Sequence, residues 1–137
     1  MDALESFREE LAELERIQAA MAAASKSGEG DWRRELIDLR RKLQSQISAV
    51  ALALGNCQSL GAEDGVRREL RDALSNMRSA LALHQANWPA VSIDPSNPDY
   101  AQSTANVRAA NRVFIDLARR VLAQTGSGTP THSNRSE

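Results

Sequence analysis

A chain of 137 residues, of which 42% are apolar and 26% charged, is long and apolar enough for one folded domain with its own core. Its net charge of −1, without a basic excess interleaved with aromatic residues, argues against a nucleic-acid partner. Because no apolar run approaches the roughly 20 residues of a membrane span, and because charges interrupt the N-terminal stretch where a signal peptide would be apolar, we expect a soluble, cytoplasmic protein.

The first helix is predicted over residues 2–25. Apolar residues recur there at steps of three and four, as on one face of an amphipathic helix, and acidic residues occupy the first turns, where the helix dipole favours them. The glycine-containing stretch 25–30 breaks the pattern and predicts a hairpin turn, after which Asp31 can cap the next helix. The apolar positions are Leu4, Phe7, Leu11, Leu14, Ile17 and Met21.

The second helix is predicted from a longer apolar seam that follows directly. This seam keeps spacings of three and four residues over more than three heptads, at Trp32, Leu36, Leu39, Leu43, Ile47, Val50, Leu54 and Cys57. Gly55 falls within the seam, which continues to Leu60. We therefore expect the helix to run past Gly55 and to end near Gly61, because glycine is a common helix terminator.

The third helix is predicted to begin after Gly65 and to end at about Asn87, because Trp88 precedes Pro89 and the residue before a proline avoids helical geometry. The segment 88–98 contains three prolines and is predicted to be an ordered connector rather than a strand. Long connections in compact domains often carry function. The seam of this helix comprises Val66, Leu70, Leu74, Met77, Leu81, His84 and Trp88.

The fourth helix is predicted to start at Asn97-Pro98-Asp99, where an asparagine cap precedes a proline at the first helical position. The helical pattern lapses at Gly126, and the polar residues 126–137 have nothing to bury, so they are predicted to form a disordered tail. The inward positions are Tyr100, Thr104, Val107, Asn111, Phe114, Ala118 and Val121.

These elements predict an all-α fold, an antiparallel bundle of four helices over residues 1–125 with a disordered C-terminal tail over 126–137. Short turns after the first two helices make neighbouring helices antiparallel, and up-down-up-down is the simplest closure. The alternative is an elongated helical hairpin onto which the first or fourth helix docks loosely, which would expose an apolar stripe to a partner.

No set of residues in the sequence resembles an active site. The single Cys57 excludes an intramolecular disulfide and is expected to be a small buried hydrophobe. Metal sites in four-helix bundles use Glu-x-x-His pairs, which the sequence lacks. No nucleophile, acid and base are recognisable as a set. We therefore expect a protein that is not an enzyme and that uses neither a metal nor another cofactor.

His84, on the seam of the third helix, suggests an alternative function. The string His84-Gln85-Ala86-Asn87-Trp88-Pro89 resembles the phosphoacceptor box of dimeric histidine kinases, in which an acidic residue follows the histidine and a proline stands five positions on. That resemblance implies a histidine phosphotransfer domain with His84 as phosphoacceptor. Gln85, however, replaces the acid that activates the histidine. The residues themselves favour a core histidine hydrogen-bonded to a polar seam residue such as Asn111.

A second resemblance concerns the two ends of the chain. Met21, a stretch of small residues and glycines, and then Asp31-Trp32-Arg33-Arg34-Glu35-Leu36-Ile37 resemble the start of the second helix in flagellar export chaperones of the FliT type. Ala110-Asn111-Arg112-Val113-Phe114-Ile115 resembles a late stretch of the related FlgN type. The resemblance implies a cytosolic, non-enzymatic helical chaperone that uses an apolar groove or a displaceable terminal helix to hold a secretion substrate or regulator.

The leading hypothesis is therefore a helical protein-binding module, a chaperone or adaptor of flagellar or type III export, that holds a helix of a partner protein. A bundle whose fourth helix follows a long connector can exchange that helix for one from a partner. In the resting state, the fourth helix is expected to complete the core. Apolar seams of this length are also compatible with a homodimer. The residues expected to line the partner groove are Trp88, Val91, Ile93, Tyr100, Val107 and Phe114.

Overall fold

The computed structural model describes residues 2–27, 30–57 and 65–131, with side chains described for 2–24, 30–57 and 65–124. The helices are α1 (Ala3–Ser27), α2 (Trp32–Asn56), α3 (Val66–Asn87) and α4 (Pro98–Thr131), and a 3₁₀ turn occupies Ala90–Ser92. No strand occurs in these described ranges, which confirms the all-α fold class. Within the same ranges, no helix is both long enough and apolar enough to cross a membrane.

Consecutive helices form two antiparallel hairpins. In the α1–α2 hairpin, the amide nitrogen of Gln46 donates to the carboxylate of Glu10 at 2.7 Å, and the thiol of Cys57 donates to the backbone carbonyl of Ala3 at 3.0 Å. In the α3–α4 hairpin, His84 near the end of α3 contacts Ser103 near the start of α4. Helices pack most closely within these two hairpins.

Contacts between α1 and α4 close the bundle. A guanidinium nitrogen of Arg8 donates to the carbonyl oxygen of Leu122 at 3.4 Å, and Arg119 forms an ion pair with Glu15. The start of α1 therefore lies beside the end of α4, so these two helices are also antiparallel. The resulting arrangement is the up-down-up-down bundle expected from the short turns.

The core follows the predicted apolar seams. Each large apolar side chain that is fully buried, such as Leu, Met or Phe, stabilises the fold by about 1.5–3 kcal/mol relative to an exposed one. All four helices contribute to one main cluster, which includes Phe7, Leu11, Leu14, Leu43, Val50, Leu70, Met77, Phe114 and Ala118. The segment 88–97, hereafter the connector, crosses one end of the bundle, which we call the capped end. A second, smaller apolar cluster lies there and consists of Trp32, Leu36, Ala90, Ile93 and Tyr100.

The helix ends agree with the sequence only in part. Asn97 caps α4 as predicted, since its side-chain oxygen accepts the backbone N–H of Asp99 at 2.8 Å. Asp31 occupies the cap position of α2 without a side-chain hydrogen bond, so that predicted cap is wrong.

The predicted end of α2 near Gly61 is also wrong, because the helix ends at Asn56. The guanidinium of Arg67 donates to the backbone carbonyl of Cys57, and the Cys57 thiol is held by Ala3. These contacts fix the chain just beyond the helix-weakening Gly55. The rest of the predicted extension, from residue 58 to 61, lies outside the described residues.

The last helix is assigned as far as Thr131, beyond the Gly126 at which the sequence pattern lapses. Side chains after residue 124 and all residues after Thr131 lie outside the described part of the chain. Of the predicted tail over 126–137, the backbone of 126–131 is assigned to α4, and 132–137 lie outside the described residues.

Candidate functional site

The connector packs over the capped end of the bundle. Ala90 and Ile93 are buried against Trp32 at the start of α2. A guanidinium nitrogen of Arg33 donates to the backbone carbonyl of Ile93 at 2.6 Å, and the same guanidinium lies 4.6 Å from the centre of the Trp32 ring, a cation–π contact. Arg33 therefore fastens the connector to α2.

Beneath the connector lies a cluster of aromatic rings around Tyr100. The His84 ring stacks on Tyr100 with a centroid distance of 5.6 Å, and Trp88 meets Tyr100 edge-on at 5.5 Å. His84 is only 8% exposed, and its Nδ1 lies 2.6 Å from the hydroxyl oxygen of Ser103. Burial, reinforced by the charge of Arg40, lowers the pKa of His84 to about 4, so the imidazole is neutral at neutral pH.

This environment corrects one prediction and weakens another. His84 hydrogen-bonds Ser103 and not the expected Asn111, because the register of α3 against α4 places residue 103 opposite it. A phosphoacceptor histidine must be reachable by its phosphate donor and activated by a base. His84 is instead buried, stacked on Tyr100 and hydrogen-bonded to a hydroxyl, which gives phosphotransfer no support.

A cavity of about 70 Å³ lies beside His84, and all four helices line it. One part of its wall is apolar and consists of Met21, Ala22, Leu36, Leu43, Leu81 and Val107. The other part is polar, with Tyr100 at its border, and consists of Gln18, Arg40, His84, Thr104, Arg108 and Asn111. No aspartate or glutamate among the described residues contributes to the lining, so this lining is mixed apolar and cationic.

Three polar atoms at this cavity are buried without a hydrogen-bond partner among the described residues: Gln18 Nε2, Arg40 Nε and Thr104 Oγ1. An unsatisfied buried donor or acceptor costs about 1–3 kcal/mol. Burial lowers the pKa of Arg40, an effect that Tyr100 partly offsets. Neighbouring Arg41 forms an ion pair with Asp38 at 3.8 Å, whereas no described carboxylate pairs with Arg40.

The six residues predicted to line a partner groove lie in different environments. Ile93, Tyr100, Val107 and Phe114 are buried, Trp88 is half-buried, and Val91 is 74% exposed. Tyr100 and Val107 line the cavity, whereas Phe114 belongs to the main core cluster. The structure therefore gathers most of them at or below the capped end without leaving an open groove on the surface.

Sequence reasoning found only half of the polar wall of the cavity. His84, Thr104 and Asn111 were predicted to face inward, whereas Gln18, Arg40 and Arg108 were not. Gln18 lies four residues after the seam residue Leu14, and Arg40 lies four residues after Leu36, so each flanks an apolar seam on the next helical turn. A polar residue at that spacing can turn inward where helices diverge. This spacing was the available signal, although many solvated side chains share it.

Cys57 lies at the opposite end of the bundle from the cavity. It is buried, as predicted, and burial raises the pKa of its thiol, which disfavours the reactive thiolate. Among the residues that the structure describes, no three His, Cys, Asp or Glu side chains form a group that could hold a metal ion.

The geometry of the capped end is the available evidence on function. The capped end combines a fastened connector, a neutral histidine and a cationic cavity, and none of these features by itself identifies a family. The resemblance to flagellar export chaperones and the expected homodimer both stay predictions. No protein-family model matches the chain, no curated protein matches it, and no solved structure matches it.

Proposed function

We propose that this protein is a non-enzymatic helical module that binds a helix of a partner protein, as a chaperone or adaptor of flagellar or type III export does. The observation that carries the proposal is the boundary between the α1–α2 and α3–α4 hairpins, which we call the seam. Buried polar atoms without partners face the cavity from both sides of the seam, Gln18 and Arg40 from the first hairpin and Thr104 from the second.

The seam is the place where the bundle opens at lowest cost. Within each hairpin the helices pack closely, and direct hydrogen bonds such as that from Gln46 to Glu10 join them. Across the seam, by contrast, Gln18 Nε2, Arg40 Nε and Thr104 Oγ1 have no hydrogen-bond partner among the described residues, and opening gives them access to water. The two hairpins are therefore expected to separate as units, with the connector released from Arg33 and Trp32 of α2.

An open seam presents an apolar surface that fits a helix. Tyr100, Val107 and Phe114 lie along the inward face of α4 and are buried in the closed bundle. A partner helix with apolar residues at steps of three and four can replace the contacts that these side chains lose, which is the helix-in-groove mode of recognition. In this proposal the closed bundle is the resting form of the module.

The proposal is tested by tethering the seam. Glu15 and Arg119, which form an ion pair across it, are replaced by cysteines in a Cys57→Ser background and joined by a short bismaleimide. The tethered protein is expected to lose a helical partner that the untethered protein captures from an extract of its own cells.

A matched tether within one hairpin is the control. Glu10 and Gln46, which are hydrogen-bonded between α1 and α2, are replaced by cysteines and joined by the same reagent. This protein is expected to capture the partner normally, because its seam still opens. Equal recovery of the partner with both tethers would mean that partner binding does not require the seam to open and would contradict the proposal.

A further inference from the structure

The polar wall of the cavity presents hydrogen-bond donors to a common space. The N–H of Arg40 Nε, the amide nitrogen of Gln18 and the hydroxyl of Thr104 all lack partners in the described residues. A hydroxyl can donate or accept, whereas the guanidinium and the amide nitrogen only donate. A group that accepts several hydrogen bonds through adjacent oxygens would satisfy all three.

The charge of the site selects an anion. Arg40 and Arg108 both line the cavity, and no acidic residue in the described part of the chain does. The uncharged His84 also lies against Arg40, whose charge disfavours a second positive charge there. A guanidinium matches the geometry of a carboxylate, and a hydrogen bond between them is about twice as strong as one between neutral groups.

The size and the apolar wall limit the rest of the ligand. The cavity is about 70 Å³, roughly half the 150 Å³ of an engineered apolar cavity that holds benzene. Leu36, Leu81 and Val107 form part of a wall that favours a hydrocarbon group over a fully polar ion such as phosphate. A short alkyl chain on one carboxylate fits both conditions.

The cavity adjoins a surface groove between α1 and α4. The two share the lining residues Gln18, Arg108 and Asn111. The charges of this groove balance, because Arg108 and Arg112 lie there with Glu15 and Asp116. Of these four, Arg108 is the one that also lines the cavity, and it is exposed. We therefore expect a ligand to enter from this groove while the connector stays fastened over the capped end.

From this geometry we propose that the cavity at the capped end binds a short-chain monocarboxylate, whose carboxylate is held by Arg40, Gln18 and Thr104 and whose alkyl chain lies against Leu36, Leu81 and Val107. The site does not need the partner, and its ligand is expected to oppose partner binding, because the ligand occupies the closed bundle and the partner occupies the open one. Binding is expected to stabilise the closed form, since a ligand that binds only the folded state raises its stability.

The experiment measures thermal unfolding and the NMR resonance of the His84 ring at constant pH and ionic strength. The probes are acetate, propionate and butyrate, with propionamide as a neutral isostere of similar shape and inorganic phosphate as an anion without an alkyl chain. We expect each acid to raise the melting temperature and to shift the His84 resonance saturably. For a given acid, the two measurements should give the same affinity. Propionamide and phosphate are expected to produce neither saturable change.

Variants assign the site. Arg40→Met is expected to weaken binding by at least about tenfold, because it removes a charge-assisted hydrogen bond. Thr104→Val is expected to weaken binding severalfold and serves as a second variant that keeps the charge. Arg41→Met is the matched control, because Arg41 points to Asp38 instead of the cavity, and its affinity should equal that of the unaltered protein.

Two results would overturn the proposal. The first is the absence of a saturable response to any of the three acids, which would mean that water alone satisfies the cavity. The second is an equal response in Arg40→Met, or an equal response to propionamide, which would show that the acids act elsewhere or without charge recognition. Neither result would change the outcome expected for the tether between residues 15 and 119. The carboxylate site and the helix-binding function can therefore fail separately.

Discussion

The Nδ1 of His84 lies 2.6 Å from the hydroxyl oxygen of Ser103 and joins the last turns of α3 to the first turns of α4. This contact spans the connector, so it fixes how the two helices meet at the capped end. It also holds the His84 ring stacked on Tyr100, with an angle of 28° between the ring planes. Because the site is buried, the loss of either partner leaves a polar group unsatisfied.

Replacing Ser103 by alanine is expected to lower the free energy of unfolding by about 1–2 kcal/mol, because the ring nitrogen of His84 loses its partner. Ser103→Thr keeps the hydroxyl and is the control, expected to lose less. Chemical denaturation followed by circular dichroism measures both. Equal losses in the two variants would show that packing at residue 103, and not the hydrogen bond, matters.

Stability is expected to depend on pH through His84. The unfolded chain takes up a proton on this residue near its ordinary value of 6.5, whereas the folded protein resists until about pH 4. The unfolded state therefore binds more protons in that window, and stability falls as the pH is lowered from about 6.5 toward 4. The expected contribution is roughly 1–3 kcal/mol.

A variant with His84 replaced by glutamine isolates this effect, since carboxylates also titrate as the pH falls. The measurement is the difference in unfolding free energy between the two proteins from pH 7 to pH 4. We expect that difference to change in favour of the glutamine variant as the pH falls. A difference that stays constant across this range would contradict the lowered pKa of His84.

Arg40→Met is expected to keep the fold and to leave stability unchanged or raise it by up to about 1 kcal/mol, because a half-buried cation without an acidic partner among the described residues is somewhat costly. The pKa of His84 should also rise in this variant, since the charge of Arg40 contributes to lowering it. Denaturation and an NMR titration of His84 measure the two effects. Arg41→Met should change neither, and a destabilised Arg40→Met would contradict the uncompensated charge.

Arg33→Met is expected to loosen the connector, because the contacts of its guanidinium with Ile93 and Trp32 are lost. Amide hydrogen exchange should rise over residues 88–97 with a loss of global stability of about 1 kcal/mol. Arg34→Met, at an exposed neighbouring position, is the control and should leave exchange unchanged. Unaltered connector exchange in Arg33→Met would show that apolar packing of Ala90 and Ile93 holds the connector alone.

The helices could be predicted from the sequence because the signals that form them are local. The apolar positions from Trp32 to Leu54 are buried along α2, as their spacing indicated. Asn97 with Pro98 marked the start of α4. The end of α2 was misplaced because it depends on Arg67, which reaches back from the next helix to Cys57. A contact between elements leaves no mark in the periodicity of either one.

The candidate site could be predicted only in part for the same reason. His84 stood out because it interrupts the apolar positions of α3. Its hydrogen-bond partner, however, depends on the register between α3 and α4, which local spacing does not specify. Gln18 and Arg40 lie beside the apolar positions of α1 and α2, as many solvated residues do. Only the packing of all four helices around His84 brings them to a shared cavity.

Both tryptophans lie at the capped end, Trp32 buried under the connector and Trp88 against Tyr100. Intrinsic tryptophan fluorescence therefore reports on this end of the molecule alone, whereas far-ultraviolet circular dichroism reports on all four helices. If the two signals change together during unfolding, the bundle behaves as one cooperative unit. If fluorescence changes first, the connector and its cavity form a separate, less stable unit that opens while the main core persists.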